Sequence, residues 1–311
     1  MILMKDPSYW LDEGKLIEYL GGQLLRGRLA LLLGAGVSVP FGLPSWECLL
    51  TRMSNNVGFG PLPDKADLLR RAQAIKDKHF SNDEDGFLEL THACLYDGVS
   101  VEMASLERHP LLSAIGSLVM ASRRGSASRV ITLNYDDILE TYLEYYGFDV
   151  TSVCSERHWA PNSDVVIYHP HGFLPLGKAR DRSKTIVIST KDYLKAIKND
   201  TDNVWRLIFL DTLRTHTCLH IGLSGDDLNV ASLTSSTEDY HAGRPREVAY
   251  SGLRFCLESE RQKSDDLITT SEATGIHTHF FKDWAELPIF LFRICQEARS
   301  LRLAQADHLR N

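Results

Sequence analysis

Leu29-Ala30-Leu31-Leu32-Leu33-Gly34-Ala35-Gly36-Val37-Ser38 decides how this chain is read. Five consecutive apolar residues suit a strand buried on both faces, the pattern of a parallel sheet rather than of a half-solvated one. The small residues that follow let a backbone approach a ligand closely, and glycine reaches dihedrals that other residues avoid. Ser38 falls where a turn or a helix N-cap belongs, and free amides at a helix start attract phosphate. The stretch therefore reads as strand, small-residue loop and nucleotide phosphate, with an unliganded strand-to-helix turn as the plain alternative. It departs from the full dinucleotide fingerprint. The third glycine is missing, Pro40 and Gly42 stand beyond it, and no acidic residue follows at the expected distance after a clear strand.

Outward from this stretch, strands and helices alternate. Residues 9–26 carry Leu11, Ile17, Leu20 and Leu24 between charges, an amphipathic helix. Leu43, Trp46, Leu49 and Leu50 fit a helix leaving the loop after Pro44. Residues 51–124 read as a mostly helical insertion, with helices over 66–78, 88–94 and 111–121 and an acidic turn at 81–86. Arg129–Leu133 reads as a second strand, followed by a helix carrying Ile138, Leu139, Tyr142 and Leu143. Val165–Tyr168 reads as a third strand and Thr185–Ile188 as a further one, with helices over 190–198 and 204–213. Thr217–Ile221, Leu253–Leu257 and Gly275–Phe281 complete the strands, the last at an edge, before a helix over 284–301. Residues 232–246 are polar and read as a loop. The order predicts an α/β fold, a Rossmann-like parallel sheet flanked by helices, with 1–311 as one domain.

Composition narrows the function. At 311 residues and 43% hydrophobic content the chain can bury a sizeable core. A formal net charge of −7 argues against broad nucleic-acid binding, which depends on phosphate neutralisation by Lys and Arg. The basic turn at Lys178–Lys184 fits a solvated hairpin. Cys48, Cys94, Cys154, Cys218, Cys256 and Cys295 are scattered without a C-x-x-C pair, so neither a zinc site nor a disulfide framework is expected. His277 and His279 share a strand face but lack a third ligand. No apolar run approaches membrane-span length, and the expected setting is cytoplasmic and reducing.

Polar residues cluster where strands end, the position at which open α/β sheets bind ligands. They are the Gly34 loop, Asn134 with Asp136, His171-Gly172, and Gly222 with Ser224. Each has a plainer reading. Asn134 can cap a helix starting at Tyr135, Asp226 or Asp227 can cap another, and Ser224 can finish a turn. His169 and His171 stand two apart, and the residues alone do not choose between them.

In this order the four segments resemble the sirtuin superfamily: Gly34-Ala35-Gly36-Val37-Ser38 with Gly42-Leu43-Pro44, then Asn134-x-Asp136, His171-Gly172 and Gly222-x-Ser224. The four-cysteine zinc ribbon of the deacetylases is absent after His171, the helical insertion standing in its place, and Ser45-Trp46-Glu47 replaces their Asp-Phe-Arg. The chain is instead similar to the bacterial sirtuin-like effectors of anti-phage defence. It shares their Pro44-x-Trp46, Thr132-Leu133-Asn134-Tyr135-Asp136, His169-Pro170-His171-Gly172 and Gly222-Leu223-Ser224-Gly225-Asp226-Asp227 features.

That resemblance implies an NAD+ hydrolase that uses NAD as substrate, with no zinc. Asn134 and His171 are its implied catalytic residues, Asn134 orienting a water or ribose hydroxyl and His171 accepting a proton. The implied NAD-binding set is Gly34, Ala35, Gly36, Ser38, Pro44, Trp46, Asp136, Gly222, Ser224 and Asp227. In it the Gly34–Ser38 amides take the pyrophosphate, Asp136 the nicotinamide carboxamide, and Ser224 a phosphate or the adenosine ribose. It further implies homo-oligomerisation and a separately encoded partner such as an ATPase or helicase. A protein deacylase and a non-catalytic NAD or ADP-ribose sensor are the alternatives; the missing ribbon speaks against the first, the Asn134–His171 pair against the second.

Overall fold

The computed structural model describes residues 8–60, 68–120, 125–155, 163–177, 180–197, 203–223, 251–264 and 275–308. Seven described strands form one sheet in the order β3-β4-β2-β1-β5-β6-β7, every pairing parallel. They are β1 Leu29–Leu33, β2 Arg129–Thr132, β3 Val150–Val153, β4 Val165–Tyr168, β5 Thr217–Ile221, β6 Gly252–Leu257 and β7 Ile276–Phe281. Both central strands, β1 and β5, are buried at every position. The unbroken apolar run of β1 calls for that burial, whereas β5 also buries Thr217 and His220.

Helices α1 Ser8–Leu11 and α2 Glu13–Leu25 precede β1, and Asp12 caps α2 by accepting the Lys15 amide at 3.0 Å. Between β1 and β2 lie α3 Trp46–Asn56, α4 Leu68–His79, α5 Glu84–Leu95, α6 Met103–Arg108 and α7 Pro110–Val119. Helix α8 Ile138–Tyr145 joins β2 to β3; α9 Thr190–Ile197 and α10 Val204–Thr215 join β4 to β5; α11 Glu286–His308 closes the chain. The main core lies on one sheet face, where Leu29, Leu31, Leu33, Leu219 and Ile221 meet the helices around α2, α7 and α11. The opposite face carries a smaller cluster of Ala30, Leu32, Ile131 and Cys218 under Phe209 and Leu213 of α10. The alternation follows from the strand period of two.

The described residues of 51–124 share the main core. Ile75, Phe87, Leu112, Ile115 and Leu118 belong to the same cluster as the sheet residues, and α7 packs on α8 and α11 as a layer helix. Two sequence expectations need correction, and one strand was not expected at all. Val150–Val153 is an edge strand, unnoticed because Val-Thr-Ser-Val is short and half-buried. Thr185–Ile188 buries Ile186 and Ile188 but forms no ladder; the Val187 amide instead donates to the His171 carbonyl at 2.8 Å. The acidic stretch at 81–86 is partly helix, since Asp83 caps α5 and Glu84 and Asp85 occupy its first turn, where carboxylates are favoured by the helix dipole. The loop expected over 232–246 lies outside the described residues.

Candidate active site

The strand order reverses between β1 and β5: β1 leads toward β2 on one side, and β5 leads toward β6 on the other. Such a switch point opens a crevice at the carboxyl ends of the strands. Gly34 leaves β1 here, Gly222 leaves β5, and the two loops interlock. The Gly36 amide donates to the Gly222 carbonyl at 2.9 Å. A Cβ on Gly36 would lie 2.7 Å from the Gly222 Cα, and one on Gly222, whose φ is +71°, 2.8 Å from the Val37 nitrogen. Only glycine fits at both places, and the reason is backbone packed on backbone.

The loop does not run straight into an α-helix. Ala35–Val37 and Val39–Phe41 form two single 3-10 turns, and α3 starts at Trp46 after Ser45, whose hydroxyl accepts the Cys48 amide. The amides of Gly34, Gly36, Val37 and Ser38 each donate to a protein carbonyl, those of Ile221, Gly222, Gly34 and Ala35 respectively. The expected row of free amides for a pyrophosphate is therefore largely spent inside the protein. Pro44 is buried and Trp46 half-buried against the core at the start of α3. Among the described residues no hydrogen bond ties either to the polar groups that follow.

Those groups come from the end of β2. Asn134 Nδ2 donates to the Gly34 carbonyl at 3.1 Å and to the Ser38 hydroxyl at 3.0 Å. Ser38 in turn donates to Asp136 Oδ1 at 2.9 Å, and the same oxygen accepts the Ile138 amide at 3.2 Å. The Gly34 carbonyl can only accept, which fixes the carboxamide orientation. Nδ2 is thus committed to the loop, and among the described residues no hydrogen bond reaches Oδ1. The half-buried Asn134 presents that oxygen as its remaining polar atom. Asp136, not Asn134, accepts the first amide of α8. Burial raises the Asp136 carboxyl to about 6, against the lowering effect of Ser38 and the Ile138 amide.

The third contributor follows β4, which pairs directly with β2. His169 is fully buried, its Nδ1 3.2 Å from the Asn134 carbonyl oxygen and its Nε2 2.6 Å from Glu140 Oε1. With both ring nitrogens engaged, His169 is part of the frame. His171 stands two residues further on, 4% exposed, its ring in a T-shaped contact with that of Tyr193 of α9 at 5.4 Å between centroids. Gly172 has φ +102°, and a Cβ there would lie 2.9 Å from the Thr185 carbonyl oxygen, so the bend after His171 requires glycine. Cross-links fasten this segment to the β2 loop: Leu174 N–H to the Tyr135 carbonyl at 2.7 Å and the Tyr135 hydroxyl to the Val187 carbonyl at 2.7 Å. Asp137 accepts the Leu176 amide at 3.0 Å and pairs with Arg180, which also pairs with Glu144.

Gly34, Gly36, Ser38, Asn134, Asp136 and Gly222 are thus linked through shared bonds and contacts, with His171 at the end of the adjacent strand. Ser224 and Asp227 lie outside the described residues. Glu140 and Tyr193 are additions that the sequence did not single out. Glu140 follows Ile138 and Leu139, so an acid beside an apolar stripe was the available signal. Tyr193 gave none. His277 and His279 pack beneath α1 and α11, on Trp10 at 5.8 Å and Phe290 at 4.9 Å. Among the described residues no group of three or more His, Cys, Asp or Glu is placed to hold a metal ion, and no helix is long and apolar enough to cross a membrane.

Residues 128–276 match the SIR2-like domain family. The chain is 24% identical over 228 residues, 72% of its length, to the NAD(+) hydrolase ThsA of Enterococcus faecium. It is 23% identical over 231 residues, again 72% of its length, to the NAD(+) hydrolase ThsA of Acinetobacter baumannii. It spans 43% and 42% of those two relatives. A solved chain from a study of the mechanism and regulation of Sir2 enzymes aligns at 13% identity with a TM-score of 0.46, covering 92% of this chain and 98% of that one.

Proposed function

We propose that this SIR2-like chain is an NAD+ glycohydrolase that cleaves NAD and water to nicotinamide, ADP-ribose and a proton. The observation that carries the reading is the Asn134 carboxamide, anchored by its nitrogen to Gly34 and Ser38 with no hydrogen bond to its oxygen among the described residues, after the strand that pairs with the one preceding His171. Two relatives named NAD(+) hydrolase support it.

The nicotinamide of NAD is already a cationic leaving group, so the bond to ribose breaks through an oxocarbenium-like state and needs no acid. What the protein must supply is an oriented nucleophile and a proton acceptor. Asn134 Oδ1 accepts a hydrogen bond from the attacking water or a ribose hydroxyl. His171 takes the proton released as the water oxygen bonds to the ribose carbon. Asp136, its Oδ1 held by Ser38 and Ile138, leaves Oδ2 for the nicotinamide carboxamide. The glycines at 34, 36 and 222 bring two loops close enough to leave a floor for the dinucleotide. With most loop amides spent, Ala35, Ser224 and Asp227 are the proposed phosphate and ribose contacts, together with Pro44 and Trp46. NAD is the substrate, and the proposed steps call on no metal.

The biological role that fits is a cytoplasmic anti-phage effector that depletes NAD on activation. Such an activity must be restrained, and we place that restraint in assembly: a homo-oligomer and a separately encoded partner such as an ATPase or helicase. Specific activity should then rise with protein concentration or on adding the partner; a fully active monomer contradicts this part. For the reaction itself, the test is stoichiometry without any peptide. Nicotinamide and ADP-ribose should appear in equal amounts as NAD disappears. Turnover only with an acetyl-lysine peptide would make the chain a deacylase, and tight NAD binding without nicotinamide release would make it a sensor.

A further inference from the structure

Resting on that reading, we propose that Glu140 and His169 form a buried positioning pair that aims the Asn134 carboxamide. The pair bridges three elements. Glu140 is on α8, 1% exposed, and also accepts from the Ser152 hydroxyl of β3 at 3.2 Å. His169 follows β4, its amide donating to the Val153 carbonyl at 2.8 Å, its ring packed on Phe173 at 4.4 Å. Its Nδ1 reaches the backbone carbonyl of Asn134 itself.

Hydrogen-bond direction fixes where the hydrogens are. The Asn134 carbonyl only accepts, so Nδ1 must carry a hydrogen. The 2.6 Å contact between Nε2 and Glu140 Oε1 then requires a second hydrogen along that line, whichever atom holds it. Glu140 holds the Nε2 side of the ring and so keeps the ring turned with Nδ1 toward the Asn134 carbonyl. The Asn134 peptide is gripped from one side by His169 and its side chain from the other by Gly34 and Ser38. A carboxamide held at both ends keeps one direction for Oδ1. Releasing the backbone end lets that oxygen swing, and a misplacement of about 1 Å costs on the order of a hundredfold in rate.

The test compares His169→Leu with His169→Asn in the full chain. Asparagine is too short to reach Glu140 but puts an N–H where Nδ1 stood, so it restores the donor to Asn134 alone. We expect His169→Leu to lower kcat about tenfold or more with little change in KM for NAD, and His169→Asn to recover most of that loss. Equal impairment in the two variants, or unchanged kcat in His169→Leu, overturns the proposal. Nitrogen-15 spectra of the wild-type ring give a readout independent of turnover and of the folding of any variant. A hydrogen on Nδ1 is expected, and a ring protonated at Nε2 alone overturns the assignment. A wild-type protein that does not cleave NAD would sink the glycohydrolase reading while leaving this ring measurement to decide the geometry.

Discussion

Burial raises the Asp136 carboxyl to about 6 from an ordinary 3.8, and this sets a measurable pH dependence at the scale of one residue. The unfolded chain loses this proton near pH 4, the folded chain only near pH 6. Stability therefore falls as pH rises through that window, and the deficit is complete above it. Asp136→Asn keeps an acceptor for Ser38 and the Ile138 amide and removes the charge. It should be more stable than wild type at pH 7.5 by on the order of 1–3 kcal/mol, the gain vanishing toward about pH 4. Thermal melts across pH check this; a constant difference between the two proteins would contradict the burial argument. The same variant should lose NAD cleavage, because the carboxylate proposed to hold the nicotinamide carboxamide has become an amide. Gly222→Ala tests the loop contact. Its positive φ and the 2.8 Å approach to the Val37 nitrogen leave no room for a methyl, and a loss of roughly 2–4 kcal/mol is expected from the melting curve.

At the scale of elements, α2 and α11 pack closely because Gly21 of α2 faces Glu297 and Ala298 of α11. A Cβ at Gly21 would lie 2.8 Å from Glu297 Cγ and 3.0 Å from the Ala298 nitrogen. Gly21→Val should push the helices apart and cost about 1–3 kcal/mol in a denaturant titration, while the folded fraction keeps its specific activity. A fall in that specific activity would mean the helix pair reaches the site. Most strands were legible in the sequence because pattern and burial agree: Leu29–Leu33 is apolar throughout, Cys218, Leu219 and Ile221 carry the apolar part of β5, and both strands are sealed on both faces. Where they disagree, the sequence misleads. Val150–Val153 is a polar edge strand that pairs on one side only, and Ile186 and Ile188 alternate like a strand while the backbone between them serves the His171 bend.

At the scale of the whole molecule, the site depends on contacts that no local pattern contains. Asn134 reaches back 100 residues to Gly34 and 96 to Ser38, and His169 lies 35 residues from the carbonyl it holds. Residue types at strand ends announced where to look. They did not show that Asp136 accepts from Ser38, nor that the loop amides are mostly spent, nor that His169 engages both ring nitrogens. His169 has both ring nitrogens engaged, by Glu140 and by the Asn134 carbonyl, and His171 is the proposed proton acceptor. The most direct test is nicotinamide release from NAD, followed by chromatography for wild type, Asn134→Ala and His171→Ala at matched concentrations, each variant checked by its melting curve. Wild type should release nicotinamide and ADP-ribose one for one, with both variants slowed about a hundredfold or more while folded. Undiminished release by either folded variant would contradict the account.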